Sequence, residues 1–412
     1  MNTDRISAAE ETAQATPTLK RALTLPLLTL YGLGVTVGAG IYVLIGATVA
    51  QAGPLAWVAF LLSAFVVSFT AFSYAELATR FPVSAGEAAY VEAGFKRKEI
   101  ATLVGVLVAC SGMVSAAAIS VGASGYLGGL TGLSSPLLIV AIVMTMGLLA
   151  WWGITQSVTA AAVVTVIEIL GLVFVIVWGL GVAEKQGVSA AELLPSLEAG
   201  NWGGIIGASL LAFFAFIGFE DMVNVAEEVE EPRKVIPRAI LITLVVATAL
   251  YVATCIAVLV AVPTDVLAGS TAPLTLVFAN APEMVQVGFA AIAVVATVNG
   301  VLIQMIMSSR VLYGMADRGQ LPSMMARLSA RTRTPSVATG FVTAAILCLA
   351  LFLPIEQLAE WTSQIVLGAF VFVNLSLILL KHQSPAAGDH FTVSIFVPYC
   401  GVAFSFILLL AG

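Results

Sequence analysis

Long runs of apolar residues, separated by short polar stretches, follow one another along almost the whole chain. About eleven of these runs reach the length of roughly 20 residues that a helix needs to cross a bilayer. Because the runs are continuously apolar and do not alternate, they predict helices and not membrane strands. The runs lie at about 22–50, 54–78, 100–127, 134–153, 160–182, 203–230, 236–262, 284–313, 336–354, 360–381 and 391–411. The pattern therefore predicts an all-α polytopic membrane protein.

Glycine residues interrupt the first and the sixth of these runs. The first contains Gly34, Gly38 and Gly40, and the sixth contains Gly218. Glycine costs about 1 kcal/mol in a helix interior and permits an unwound backbone. Close helix packing explains either set of glycines when it is taken alone. Two interruptions in matching positions instead predict two broken helices around a binding site near the bilayer midplane.

The spacing of the two interruptions predicts the organisation of the chain. Five spans separate one break from the other, so two units of five helices would have opposite topology, as in an inverted repeat. We predict a short cytoplasmic tail at 1–18 and a single integral membrane transporter domain at 19–412. The ranges of that domain are a first repeat at 22–182, a second repeat at 203–381 and an extra helix at 391–411.

Composition and charge agree with a membrane protein and predict its orientation. The chain is 60% hydrophobic and 10% charged, whereas a soluble domain carries about 25% charged residues. With a cytoplasmic amino terminus, all Lys and Arg residues except Lys185 fall in cytoplasmic segments, as the positive-inside rule requires. We therefore expect an integral protein of the plasma (inner cell) membrane. The net charge of -6 gives no indication of nucleic-acid binding.

Two acidic residues lie deep within predicted spans. A carboxylate at that depth costs about 2.5–3.5 kcal/mol and marks an ion or substrate pathway by default. Glu168 is the charged residue of the fifth span, and Glu220 directly follows the second break. The cost of burial favours the neutral form of Glu168, which makes it a candidate proton carrier. A neutral Glu168 that bridges two helices through hydrogen bonds is the structural alternative.

The first break has the chemistry of an anion site. If the helix restarts there, the amide groups of Ala39, Gly40 and Ile41 form its amino terminus, which favours a carboxylate. Around the second break, one or two phenylalanine residues are candidates for a wall or a thin gate, although most phenylalanines of membrane helices face lipid or core.

Several motifs in order along the chain resemble the amino acid–polyamine–organocation (APC) superfamily of permeases, which have a LeuT-like 5+5 inverted-repeat fold with helices 1 and 6 broken. The motifs are Gly38-Ala39-Gly40-Ile41-Tyr42, Tyr74-Ala75-Glu76-Leu77 with Pro82 to Tyr90, Phe213 to Glu220, Pro232 to Ile240 and Ser309 to Pro322.

The resemblance implies roles for particular residues. The backbone of the first motif, from Thr36 to Ile41 and including Gly38, Ala39 and Gly40, would bind substrate amino and carboxylate groups. Phe214, Ile217 and Gly218 would complete the site, Phe214 or Phe216 would act as the gate, and Glu220 would take part in coupling or gating.

Two departures from the family pattern matter. Some proton-coupled relatives have a lysine at the position of Glu168, so that the lysine mechanism does not carry over. Many members of the superfamily also have twelve spans, whereas this sequence predicts eleven.

These observations predict a secondary active transporter of amino acids or related amines that works by alternating access. Proton symport is the first hypothesis for coupling, exchange the second and sodium symport the third, and a non-transporting sensor with the same fold is a further alternative.

A channel or an intramembrane protease is the rival class. A protease needs paired Asp residues or a Ser with His or Lys at depth, and neither set is present. The expected partners are a small amine-bearing substrate, protons and membrane lipid, with no metal, cofactor or enzymatic activity.

Overall fold

The structure is a computed structural model that describes residues 21, 23–38, 40–82, 86–153, 158–186, 199–332, 334–383 and 390–411. The predicted tail at 1–18 lies outside these ranges. The α-helices are α1 (Leu25–Val37), α2 (Gly40–Ala52), α3 (Ala56–Arg80), α4 (Gly86–Phe95), α5 (Lys98–Thr131), α6 (Ser135–Trp152), α7 (Val158–Gln186), α8 (Ala199–Phe214), α9 (Pro232–Ala261), α10 (Thr264–Ala268), α11 (Glu283–Asp317), α12 (Ser336–Phe352), α13 (Ile355–Gln383) and α14 (Phe396–Ala411).

The prediction of an all-α polytopic membrane protein is confirmed. Among the described residues, eight helical stretches are long and apolar enough to cross a bilayer, and α1, α12 and most of α14 are shorter apolar helices. Helix is present in each of the predicted spans. The number of eleven spans and the inverted repeat stay predictions.

Both predicted helix interruptions are present. Helix α1 ends at Val37 and α2 begins at Gly40. Helix α8 ends at Phe214, and a 3₁₀ helix follows it over Phe219–Glu228. The halves of the two broken helices pack together, because α2 lies along α8 and α1 contacts the 3₁₀ helix. The breaks therefore face each other in the middle of the bundle.

The segment between the second and third predicted spans is not a plain loop. It contains α4, which the apolar-run pattern missed because the helix is short. Tyr90 and Val91 are fully buried, and a Cβ on Gly94 would lie 2.7 Å from the Cα of Ser376 in α13. Helix α4 is thus held by close packing against α13 and not by a long apolar stripe.

Basic residues collect at one end of the bundle, which we call the basic face. Arg80 ends α3, Lys98 begins α5, Arg233 lies in the first turn of α9 and Lys381 lies in the last turn of α13. Buried Glu76 joins two of these elements, since its carboxylate oxygens lie 2.7 Å from Arg80 Nη2 and 2.7 Å from Lys381 Nζ.

The two broken helices are also joined at the basic face. Leu23 forms an isolated parallel bridge with Val229. The Leu23 amide donates to Glu228 O at 2.9 Å, and the Glu230 amide donates to Leu23 O at 3.1 Å. The segment before α1 is therefore fixed against the segment that follows the 3₁₀ helix.

Candidate functional site

The two helix breaks are in direct backbone contact. A Cβ added to Gly40 would lie 2.9 Å from the Cβ of Ala215. A Cβ added to Gly218 would lie 2.8 Å from the carbonyl oxygen of Val35, and Gly218 has a φ of 121° that disfavours other residues. Glycine is needed at both positions because any side chain would separate the two backbones.

Tyr251 of α9 binds the backbone of both breaks. Its hydroxyl oxygen lies 2.7 Å from Thr36 O and 2.7 Å from Ala215 O. A hydroxyl has one hydrogen to donate, so the two carbonyl groups share this donor. The Tyr251 ring is held in place by Phe60 and Phe216, whose ring centroids lie 5.9 Å and 5.1 Å away. Tyr251 thus joins the two breaks, and the sequence analysis did not predict this contact.

Most of the backbone amide groups at the second break form hydrogen bonds within the same segment of the chain. The amides of Ala215, Phe216 and Ile217 donate to carbonyls three residues earlier, at 3.1, 2.9 and 3.2 Å. The Gly218 amide donates to Glu220 Oε2 at 2.9 Å. Glu220 therefore caps the break locally, and its part in coupling or gating stays a prediction.

A small cavity lies between the two breaks, and we call it the break cavity. Its volume is about 20 Å³. The hydroxyl oxygen of Thr36 faces no hydrogen-bond partner in the described part of the chain, although the residue is buried. The lining residues are Gly34, Val35, Thr36, Gly38, Gly40, Ser115, Ile119, Phe214, Ile217, Gly300, Ile303 and Gln304.

Most of the residues expected to bind substrate meet in the break cavity, where Thr36, Gly38, Gly40, Phe214 and Ile217 line one space. Two others lie outside the lining: Ile41 is fully buried, and Gly218 packs against Val35. Ala39 lies outside the described residues.

Of the two expected gate residues, Phe214 lines the cavity and Phe216 does not, because Phe216 packs against Tyr251. The structure adds Ser115 of α5 and Gln304 of α11, which come from helices without a sequence motif at these positions.

A second cavity continues from the first toward the basic face, and we call it the acid-lined cavity. It has a volume of about 30 Å³ and shares Ser115, Ile217 and Gln304 with the break cavity. Three carboxyl groups line it, those of Glu87, Glu220 and Asp221. All three residues are at most 9% exposed.

Glu87 belongs to α4 and was missed by the sequence analysis, since it lies outside the apolar runs. Its Oε1 accepts a hydrogen bond from the Tyr74 hydroxyl at 3.2 Å. Burial raises the pKa of the Glu87 carboxyl above its ordinary value, and hydrogen bonds from its own backbone and from Tyr74 oppose that shift. A negative charge on Glu87 is therefore costly unless a cation enters the cavity.

Glu168 lies beside the first break and outside both cavities. It is 1% exposed, and each of its carboxyl oxygens is 3.7 Å from the point where a Cβ on Gly38 would lie. The side chain of Asn299 faces the carboxyl group. Asn299 also lines a third cavity of about 330 Å³ that includes Gly34 and reaches Arg310. Glu168 is thus placed between the first break and a wider cavity near the basic face.

These features define an integral membrane protein with a small polar site at paired helix breaks. The family model described as "Amino acid permease" matches residues 24–412. The chain belongs to this family, and so to the APC superfamily.

Curated relatives agree with this assignment. The chain is 31% identical over 390 residues to the branched-chain amino acid permease BcaP of Bacillus subtilis (strain 168), covering 89% of this chain and 82% of the relative. It is 32% identical over 396 residues to the vacuolar cationic amino acid transporter 2 of Arabidopsis thaliana, covering 89% of this chain and 61% of the relative. It is 26% identical over 407 residues to a methylthioribose transporter of Bacillus subtilis (strain 168), covering 92% of this chain and 85% of the relative.

Replacing Tyr251 with Phe should destabilise the protein by about 1–3 kcal/mol, because two buried carbonyl groups lose their shared donor. Thermal unfolding of the purified protein in detergent measures this change. The matched control is Tyr399→Phe, which alters a side chain that is 49% exposed and should shift stability by less than about 0.5 kcal/mol. Equal shifts in the two variants would contradict the role of Tyr251.

Proposed function

We propose that this protein is a secondary active transporter of amino acids that works by alternating access in the plasma membrane, with a cytoplasmic amino terminus. The observation that carries the proposal is the convergence of both helix breaks on one polar cavity. Relatives named as amino acid permeases and transporters support it.

The break cavity offers groups that suit the α-carboxylate of an amino acid. Helix α2 begins at Gly40, so its first amide groups have no acceptor within the helix. These amides and the positive end of the helix dipole favour an anionic group. The Thr36 hydroxyl, which has no partner in the described part of the chain, would donate a further hydrogen bond. The carboxylate would thus bind at the first amide groups of α2.

The described conformation is closed around this site. A volume of about 20 Å³ is enough for one water molecule and far too small for an amino acid. Toward the basic face, Tyr74, Phe219 and Phe370 pack edge to face with ring centroids 5.6 Å apart. We infer that substrate entry separates the halves of the broken helices, with Phe214 and this aromatic cluster as the gates.

Replacing Thr36 with Val should weaken amino acid uptake, because it removes the hydroxyl and keeps the shape of the side chain. The loss of one hydrogen bond, about 1–1.5 kcal/mol, predicts an increase in KM of about 5- to 13-fold. Counterflow of a radiolabelled amino acid in proteoliposomes gives the measurement.

The matched control for this prediction is Thr48→Val. Thr48 is buried in α2, where its hydroxyl donates to Leu44 O at 2.9 Å, and it lies outside the cavity lining. Substrate binding without counterflow in the unmodified protein would support the sensor alternative and contradict transport. Ion current that does not saturate with an amino acid would indicate a channel.

The lining of the acid-lined cavity favours a substrate with a cationic or polar side chain over a branched aliphatic one. The polar groups come from α5 and α11, where Ser111, Ser115, Gln304 and Ser308 lie beside the three carboxyl groups. The hydroxyl of Ser308 is buried and has no hydrogen-bond partner among the described residues. A cationic side chain that reaches into this cavity would satisfy the hydroxyl and offset the cost of a buried carboxylate.

Replacing Asp221 with Asn should raise the KM for lysine at least tenfold and leave the uptake of leucine, if it occurs, nearly unchanged. Parallel counterflow measurements with the two amino acids test this difference. Asp317→Asn is the control, since Asp317 is exposed at the end of α11 and lies outside the cavity. Uptake of leucine alone, with no effect of Asp221→Asn, would contradict a cationic substrate.

Proton coupling is our proposal for the driving force, with Glu168 as the carrier. Glu168 is buried beside the first break, and its neighbour Asn299 lines the wider cavity near the basic face. Glu220 is the weaker candidate because its carboxylate already caps Gly218. Among the described residues, no three His, Cys, Asp or Glu side chains are arranged to hold a metal ion.

Replacing Glu168 with Gln should flatten the pH dependence of uptake. Desolvation favours the neutral form of this carboxyl, and symport requires that it bind a proton on the acidic side and release it on the other. The glutamine side chain stays neutral at every pH, so uptake should no longer increase as the external pH falls. Uptake from proteoliposomes at several external pH values tests this.

Glu356→Gln, which removes an exposed carboxyl, controls for the change in charge. An unchanged pH profile in Glu168→Gln would indicate that Glu168 is a structural hydrogen-bonding residue. Uptake that requires an amino acid on the opposite side and is independent of a proton gradient would indicate exchange.

A further inference from the structure

A large groove opens on the basic face, separate from the substrate site. Its volume is about 820 Å³, which is the size of a site for a ligand of substantial bulk. The groove lies where the first turn of α9 meets the end of α3 and the segment before α14. None of its lining residues lines the break cavity or the acid-lined cavity.

Four basic side chains line the groove: Arg21, Arg233, Lys234 and Arg238. The acidic residues that line it are Glu230 and Glu231, so the groove has an excess of positive charge. Glu231 pairs with Lys234 at 2.7 Å. In the part of the chain that the structure describes, neither Arg21 nor Arg233 forms an ion pair within 4 Å.

The arginine side chains are held around a common opening. The bridge between Leu23 and Val229 fixes the chain two residues after Arg21 against the second broken helix. Arg233 and Arg238 both lie in α9, within its first two turns. The amino terminus of this 30-residue helix adds a positive field of its own. The groove therefore presents guanidinium groups from two separate segments to one ligand.

His390 also lines the groove. Its pKa is lowered, first by burial and then by the positive charges of Arg80, Arg233 and Lys381, with Glu76 acting in the opposite direction. Of these cations, Arg233 lines the groove, so one arginine of the groove contributes to the shift.

One wall of the groove is apolar and faces the surroundings of the bundle. Leu241 of α9 is 44% exposed, and Phe72 of α3 is partly exposed beside it in the groove lining. In a membrane protein such exposed apolar side chains contact lipid chains. The groove thus combines a cluster of arginines with an apolar wall that includes the exposed side chain of Leu241.

We propose that this groove binds the phosphate-bearing headgroup of an anionic phospholipid, with the acyl chains along Phe72 and Leu241. Guanidinium groups bind phosphate through paired hydrogen bonds, and basic pockets between membrane helices on the cytoplasmic side are known headgroup sites. A free phosphate ion would satisfy the arginines but would leave the apolar wall without a role.

The test is a titration of the full-length protein, purified in a neutral detergent, with phosphatidylglycerol. Phosphatidylcholine with the same acyl chains and inorganic phosphate are the parallel titrants, and the thermal midpoint gives the apparent Kd. The triple variant Arg21→Gln, Arg233→Gln, Arg238→Gln should raise the Kd for phosphatidylglycerol at least tenfold. Size-exclusion chromatography without lipid checks that the variant is folded.

The matched control is Arg318→Gln, Arg327→Gln, Arg331→Gln, which removes the same charge from exposed positions outside the groove. Its Kd should change less than twofold. Equal weakening in both triple variants would overturn the proposal in favour of a general surface attraction. Equal stabilisation by phosphatidylcholine or by inorganic phosphate would also overturn it. If the triple variant does not fold, Arg233→Glu alone should still raise the Kd, and an unchanged value would refute the site.

Discussion

Backbone amide and carbonyl groups freed by a helix break inside a bilayer have to find partners within the protein, because lipid offers none. Here the partners come from three sources. Tyr251 donates to carbonyls of both breaks, Glu220 accepts from Gly218, and tight turns satisfy the amides that precede Gly218. The glycine positions follow from the same constraint, since the two backbones approach too closely for a side chain between Gly40 and Ala215. The geometry of the site therefore depends on the hydrogen bonds that the backbone groups of the two breaks form within the protein.

The same contacts also keep the site closed. If the two breaks separate to enlarge the cavity of about 20 Å³, the carbonyls of Thr36 and Ala215 lose the Tyr251 hydroxyl that they now share. A buried polar group without a partner costs about 1–3 kcal/mol. In the proposed transporter, a substrate that carries both a carboxylate and an amine would replace these lost contacts, whereas an apolar molecule would not. Binding and opening would then be linked through the same backbone groups.

The sequence was sufficient for the features that are encoded locally and insufficient for those that depend on distant contacts. The breaks at Gly38–Gly40 and Gly218 were predictable, because glycine punctuates an apolar run there. Tyr251 was not, because its partner Thr36 is 215 residues away and a tyrosine in an apolar helix gives no signal of its own. Glu87 was missed for a different reason. Helix α4 is short and lies between two spans, so the hydropathy pattern predicts a loop for this segment. Its burial against Tyr74 exists only in the folded protein.

Glu168 and Glu220 are both acidic residues within apolar spans, but their carboxyl groups have different surroundings in the structure. Depth alone marks Glu168 and Glu220 equally as candidates for coupling. Glu220 accepts from the Gly218 amide at 2.9 Å, and this bond is needed whether the group is charged or neutral, so a change of protonation disturbs the break itself. Among the described residues, no backbone group bonds to the Glu168 carboxyl, and that carboxyl faces Asn299, which lines a cavity more than ten times larger than the break cavity. A group that gains and loses a proton in each cycle requires access to water without damage to the fold. Of the two, Glu168 is therefore the proposed carrier, because a change in its protonation leaves the hydrogen bond to Gly218 intact.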